Sequence, residues 1–249
     1  MNREQIATGE RIRRAQLAPG GPCANRPPRQ ITWLIASRDE RLPKPDFSEL
    51  NRAGFRRHGS VVLRTACAGC NACIPVRVPV ERFAPSRVQR YIWRRLSHLT
   101  VHRLPMIESD EQFALYLRYQ RARHPGNGLD NEAQFRHLLL TTPTSSRMLE
   151  FRDRGELKMV SVVDELDDGW SLIYSFFDPD DPSASFGVYS ILWQIAAVRL
   201  SGLAYYYPGY WIEGSDKQGY KDQFQPFEVL EDGRWKAHRP AELQRPCPG

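Results

Sequence analysis

Three cysteines fall within seven residues, as Cys67-x-x-Cys70-x-x-Cys73. Their thiolates, with Cys23 as a fourth donor, suit a tetrahedral zinc or an iron-sulfur cluster. The spacing lacks a second C-x-x-C pair and cysteine is also a small buried residue, so plain packing stands beside metal as a reading. Redox catalysis is the weaker alternative, because no thioredoxin-like pattern surrounds the motif. Asp164 interrupts the apolar run VSVVDEL, where an unpaired carboxylate is costly to bury, so it either faces outward or does chemistry. Arg77 lies on the face opposite Val76 and Val78 of a strand and either meets water or lines a pocket. The segment YYYPGYWIEGSDKQGYKDQF gathers Tyr210, Lys217, Tyr220 and Lys221 where a strand leaves its sheet, a place for cations to hold an anionic ligand. His124, ending a helix before Pro125, reads as a partner of the helix dipole, and Cys247 in a Pro-rich tail reads as inert.

The elements that must position these residues follow from period and punctuation. PGGPCANRPPRQ, residues 19–30, reads as a loop and ITWLIAS as a strand. Ile74, Val76, Val78 and Val80 alternate as in a strand. Ser86 caps a helix running to about His98, with Val88, Ile92, Leu96 and Leu99 as its apolar stripe. Ser109 and Gln112 form a capping box for a second helix that ends at HPGNG, and a third covers about 131–140. RMLEFR, LKMVSVVDEL and WSLIYSFF, joined by DRG and DDG turns, make an antiparallel meander. A helix over about 188–201 and the strand LAYYYPGYWI follow. Three strands, a helix and a strand is the order of the GNAT-type acyltransferase fold. The expectation is therefore an α+β chain with a GNAT-like C-terminal half and a basic, Cys-containing N-terminal α/β region packed against it.

Charge divides the chain at the same place. Residues 1–104 hold 20 Lys and Arg against 7 Asp and Glu, a net +13, whereas residues 105–249 hold 15 against 22, a net −7. Those spans are taken as two domains. Only five of the 35 basic residues are lysines, so the cations are mostly guanidinium groups that fork onto phosphate or carboxylate. No apolar run is long enough to span a membrane and the first residues lack a secretory signal, so a soluble, cytoplasmic protein is expected. Five cysteines, an odd number, argue against a disulfide framework there.

Arg87, Arg90, Arg94 and Arg95, with Tyr91 and Trp93 among them, line a face of the helix after Ser86. Alone, such a face is a solvated one; within a +13 segment it suits phosphate contacts and stacking on bases. No named RNA-binding signature is present, so contact to backbone shape is expected rather than sequence readout. CoA enzymes of the GNAT type hold a pyrophosphate on a Gly-rich turn before the helix. Here that turn is DPDDPSASFG, whose aspartates disfavour a CoA donor.

The blocks NRAGFRRHGSVVLRTACAGCNACIPVRVPVERFAPSRVQRYIWRR, LYLRYQRARHPGNG, VSVVDELDDGWSLIYSFFDPD, SFGVYSILWQIAAVRLSGLAYYYPGYWI and KQGYKDQFQPFEVL, in that order, resemble the bacterial aspartate/glutamate leucyltransferases. These are relatives of the arginyl-tRNA-protein transferases. The resemblance implies transfer of leucine from leucyl-tRNA to the N-terminal amine of proteins that begin with Asp or Glu, marking them for degradation. It also makes Cys23, Cys67, Cys70 and Cys73 better ligand candidates, since eukaryotic relatives hold an iron-sulfur cluster with cysteines from the corresponding regions. Asn25, Arg26, Pro208, Ser215, Gln218 and Gln225 depart from the family pattern close to the donor site.

The chemistry implied is aminolysis of an activated ester. It asks for an amine held in place, a proton acceptor and stabilisation of an oxyanion. Asp164 is assigned to orient or deprotonate the amine, and Arg77 to pair with the acceptor's acidic side chain. Arg87, Arg90, Arg94 and Arg95, with Lys217 and Lys221, receive the tRNA, and Tyr210 and Tyr220 complete the substrate-binding set. No cofactor is required for the chemistry. A CoA-dependent N-acyltransferase and a non-catalytic, metal-stabilised RNA-binding protein are the rival readings.

Overall fold

Val76 and Val78 are fully buried on one face of β5 (Ile74–Pro79), and the strand has neighbours on both edges. The computed structural model describes residues 9–23, 25–215 and 217–238; Cys247 lies outside the described residues. β5 belongs to a sheet of eight strands. Their order is β12 (Arg234–His238), β11 (Phe227–Glu231), β5, β10 (Tyr205–Trp211), β9 (Gly169–Phe177), β8 (Glu156–Glu165), β7 (Ser146–Asp153) and β6 (Thr100–Leu104). Every neighbouring pair is antiparallel except β9 and β10. A second, antiparallel sheet has the order β1 (Gln16–Pro22), β2 (Gln30–Ser37), β4 (Val61–Thr65) and β3 (Arg56–His58), with α1 (Lys44–Arg52) between β2 and β3.

Side-chain alternation sorts the core onto the two faces of the large sheet. Met159 and Val163 of β8 join Val76, Val78, Ile92, Leu96, Ile191 and Ile195 beneath α2 (Arg87–Leu96) and α5 (Phe186–Leu200). Val160 and Val162 join Leu115, Tyr116, Phe135 and Phe176 beneath α3 (Asp110–Arg123) and α4 (Glu132–Phe135), which runs into a π-helical turn at Arg136–Leu140. Phe47, Leu50, Phe55 and Val62 meet Leu166 and Tyr207 to seal the small sheet and α1 onto the large one. The expected capping boxes are present, Ser86 with Gln89 and Ser109 with Gln112, each replacing orphan backbone partners at a helix start. The chain is α+β, with one mixed sheet and one antiparallel sheet. Among the described residues no helix is long and apolar enough to cross a membrane.

Two expectations change here. Residues 19–30 are not all loop, since β1 extends through Pro22 and β2 begins at Gln30. The division at residue 104 does not separate the sheets, because β5 and β6, which both precede it, lie in the large sheet among strands of the second half. Part of the charge asymmetry is likewise internal. Arg52 pairs with Asp168 at 3.1 Å, Arg57 with Asp164 at 2.8 Å, Arg77 with Glu228 at 2.7 Å, and Arg103 with Glu165. Acids of the second half thus neutralise arginines of the first.

The Arg57–Asp164 pair joins the two sheets with both side chains fully buried. Arg57 Nε donates to both Asp164 oxygens, at 2.8 and 3.1 Å, and its terminal nitrogens donate to the carbonyls of Leu138, Leu139 and Thr141. Ser146 Oγ donates to Asp164 Oδ1 at 2.6 Å. A dry ion pair is sustained only when its other hydrogen-bonding capacity is met, and here it is.

The exceptional pair, β9 and β10, is joined by α5 and is short. Its register covers Gly169 with Tyr205, Trp170 with Tyr206 and Ser171 with Tyr207. Gly169 allows this approach, because a Cβ there would lie 1.8 Å from the Tyr205 carbonyl oxygen. Beyond it, Leu172–Phe177 pairs only with β8, and Gly209–Trp211 only with β5. Pro208, which has no N–H to donate, stands at the point of parting.

Asp164→Asn leaves the Arg57 guanidinium buried without an anion. Urea unfolding should register a loss of about 3–5 kcal/mol. A loss well under 1 kcal/mol would mean that the pair does not hold the sheets together.

Candidate active site

Where β9 and β10 part, a cavity of about 1030 Å³ opens. Leu172 to Ser175 of β9 form one side and Pro208 to Tyr210 of β10 the other. The C-terminal end of α3, the N-terminal turn of α5, the cysteine loop and residues 217–221 complete the wall. Asp181 is the one acidic residue among the described lining residues, against Arg26, Arg56, Arg123, Lys217 and Lys221. Asp181 itself accepts from Ser183 at 2.7 Å and lies 3.9 Å from Arg95, so it is already engaged.

Arg56 stands in the fork between the strands. It donates to the Leu172 carbonyl, and burial pushes its guanidinium below the ordinary arginine value. A Cβ on Gly209 would lie 2.9 Å from Arg56 Nη1, so the glycine makes room for the head group. Lys221 Nζ donates to the Tyr210 carbonyl at 2.7 Å and to Gln218. Burial, reinforced by Arg56, brings its pKa down to about 7. Tyr210 donates its hydroxyl to the Gly54 carbonyl at 3.3 Å. His124 Nδ1 lies 3.2 Å from Lys217 Nζ; burial, the Lys217 ammonium and Arg123 hold this imidazole below its usual value, neutral at neutral pH. A neutral imidazole on a cavity wall can accept a proton.

Of the residues singled out in the sequence, Tyr210, Lys217, Tyr220, Lys221 and the four cysteines are brought to this cavity. Asp164 is not. It is sealed beneath, with no exposed side-chain surface and its oxygens taken by Arg57 and Ser146, so it cannot meet an amine. Arg77 is not there either. It pairs with Glu228 and sits over the rings of Tyr205 and Trp235, 3.6 and 4.5 Å from their centroids, on the face turned toward the small sheet. Lys221 is a buried tether rather than a surface contact for tRNA. Arg87, Arg90, Arg94 and Arg95 are exposed on α2, outside the cavity. Arg95 reaches toward it through the Ser183 carbonyl and hydroxyl, at 2.9 and 3.0 Å. Arg56 and His124 were not selected from the sequence as site residues. The signal for Arg56 was parity: Arg56 and Arg57 are consecutive on a strand, so they face opposite ways.

Cys23, Cys67, Cys70 and Cys73 share one wall. The Thr32 amide donates to Cys67 Sγ at 3.4 Å, and burial, then the other three cysteines, raises the Cys73 thiol. The donor set suits zinc or an iron-sulfur cluster by type and neighbourhood. Among the described residues, however, no group of three or more cysteine, histidine or acidic side chains is arranged to hold a metal ion.

A strand–helix–strand unit whose parallel strands part over a cationic cavity has the makings of a group-transfer enzyme for an anionic donor. Residues 22–91 match the family model described as arginine-tRNA-protein transferase, N terminus, and residues 111–231 match its C terminus. The chain is 43% identical over 217 residues to the aspartate/glutamate leucyltransferase of Chromobacterium violaceum, covering 86% of this chain and 90% of that one. Its identity to the enzyme of the same name from Nitrosospira multiformis is also 43%, covering 86% of each. With that from Methylobacillus flagellatus it is 45% over 214 residues, covering 85% of each. The chain belongs to the arginine-tRNA-protein transferase family, among its aspartate/glutamate leucyltransferases. The structure of L-PGS from Bacillus licheniformis overlaps at a TM-score of 0.49 with 11% identity, over 70% of this chain and 62% of that one, too loosely to define a fold.

Lys221 makes the site testable through stability. Its folded pKa is about 7 against an ordinary 10.5, so between those values the unfolded chain binds the extra proton and stability rises with pH. In urea unfolding the difference between wild type and Lys221→Met should climb above neutral pH by on the order of 1 kcal/mol per unit and level off in mild acid. A difference that does not change with pH would show that the lysine keeps its ordinary value.

Proposed function

We propose that this protein transfers leucine from leucyl-tRNA to the α-amine of proteins that begin with Asp or Glu, the activity named in its relatives. The observation that carries the reading is the cationic cavity at the parting of β9 and β10. The family resemblance adds that such a leucine marks the acceptor for degradation, and cytoplasmic tRNA is the donor this reading requires.

The acceptor's amine nitrogen attacks the ester carbonyl carbon, the C–N bond forms, and the bond from that carbon to the ribose oxygen breaks. The amine gives up a proton and the ribose leaves as a hydroxyl, so no net proton is consumed. His124 takes the amine proton in place of Asp164, because it is on the wall and neutral. Burial, and after it Lys217 at 3.2 Å, keeps it in that state. The tRNA body approaches over Arg87, Arg90, Arg94 and Arg95, while Tyr210 and Tyr220 border the pocket that takes the aminoacyl end.

The finer architectural reading is a GNAT-like arrangement in which β9, α5 and β10 are the strand–helix–strand core. The turn before α5 speaks against CoA: Asp178, Asp180 and Asp181 crowd it, and Asp181 faces the cavity. A zinc ion or iron-sulfur cluster would be held by Cys23, Cys67, Cys70 and Cys73. It would supply a structural link between the loop before β2 and the strand carrying Arg77. No step of the transfer runs through it.

The deciding experiment incubates labelled leucyl-tRNA with peptides beginning Asp, Glu, Arg or Ala. Label should enter the first two only, and His124→Asn should lower kcat at least about 100-fold with KM little changed, as loss of a general base does. Label entering Ala- or Arg-initiated peptides as fast, or label entering none, would refute the reading. Because phosphate contacts release counterions, tRNA affinity should fall steeply with salt, and replacing Arg90 and Arg94 together by Ala should flatten the log–log slope by about one to two. An unaltered slope would make that face a solvated one.

A further inference from the structure

β3 presents two consecutive arginines to opposite sides. Arg57 is saturated by Asp164 and three carbonyls. Arg56 is not: its hydrogen bond goes to the Leu172 carbonyl, and no carboxylate of the described residues pairs with it. The carboxylate that acts on its charge is Asp164, which is committed to Arg57. Lys221, whose ammonium form is disfavoured by burial and then by Arg56, lines the same cavity and supplies no negative charge to it. A guanidinium drawn partly out of water calls for an anion, and none of the described residues supplies one at this point of the cavity wall.

Given leucyl transfer as the reaction, we infer that Arg56 reads the acceptor's acidic side chain, its free guanidinium edge pairing with the carboxylate of an N-terminal Asp or Glu. Three features suit it to that role. The Leu172 carbonyl and the absent side chain of Gly209 fix the head group in the fork. An arginine has five N–H donors, so one bond to a carbonyl leaves donors for a two-pronged grip on a carboxylate. Arg56 also stands at the divergence itself, where an extended chain lying along the free edge of β9 would begin. Arg77, the other arginine considered for this task, is closed off by Glu228 and two aromatic rings.

The rival is a phosphate of the donor tRNA, and neutral isosteres separate the two. With saturating leucyl-tRNA, kcat/KM is measured for peptides beginning Asp, Asn, Glu or Gln, using wild type, Arg56→Gln and Arg56→Lys. Wild type should prefer each acid over its amide. Arg56→Gln should lower the two acidic peptides by about 10- to 100-fold, the worth of a charged hydrogen bond, and the two amides by no more than a few-fold, so that the preference collapses. Arg56→Lys should keep part of the preference. Leucyl-tRNA affinity and the thermal midpoint should stay near wild type in both. An equal fall on all four peptides, or a parallel loss of leucyl-tRNA affinity, would overturn the inference in favour of a donor-side role. Unfolding of both variants would overturn it in favour of a structural one. If wild type labels neither Asp- nor Glu-initiated peptides, the function proposed above fails, and this inference falls with it.

Discussion

The buried pair of Arg57 and Asp164 is the constraint on which the rest of the site depends. It ties β3 of the small sheet to β8 of the large one, and a lone charge at either end would be left in a dry interior. Because successive residues of a strand face opposite ways, anchoring Arg57 also aims Arg56. The guanidinium at the cavity is thus positioned by one that substrate never reaches. The same junction sets Tyr210 against Gly54, so the far wall of the fork is referenced to the same few residues.

The cavity owes its existence to a pairing that stops. Three residues of parallel register hold β9 to β10, and Gly169 and Pro208 mark the two ends of that contact for different reasons, one by lacking a Cβ and the other by lacking an N–H. The central strands then separate without unfolding, since each keeps an antiparallel partner on its other edge. An opening is gained in the middle of a sheet, and the hydrophobic layers under α2, α5 and α3 stay intact.

Local structure was readable where it rests on local chemistry. Capping residues announced α2 and α3, and the DRG and DDG turns announced the meander of β7, β8 and β9. Side-chain roles were harder, because period fixes which residues share a face and says nothing of what the face meets. Arg77 was correctly placed opposite the valines, but the surface it meets is made by Tyr205, Trp235 and Glu228, all from the far end of the chain. Asp164 was expected to face outward or to do chemistry and does neither; the partner that buries it lies 107 residues away, and no local pattern points to it. The charge asymmetry was real, yet several of its arginines face acids of the other half and are not offered to a partner outside. Family resemblance supplied the activity, which none of these physical signals specifies alone.

The place of β5 has a consequence for how the molecule comes into being. This strand is made early, directly after the cysteine motif, but both of its hydrogen-bonding edges belong to β10 and β11, which are made only after the whole meander. Until they emerge, the valines of β5 and the loop before it have no sheet to join. Pairings so distant in sequence form slowly, because the chain must close large loops before the contacts reward it. A nascent or truncated chain ending after the meander therefore holds every cysteine of the cavity wall and no cavity, so transfer activity arrives all at once with the last strands instead of accumulating as the chain grows.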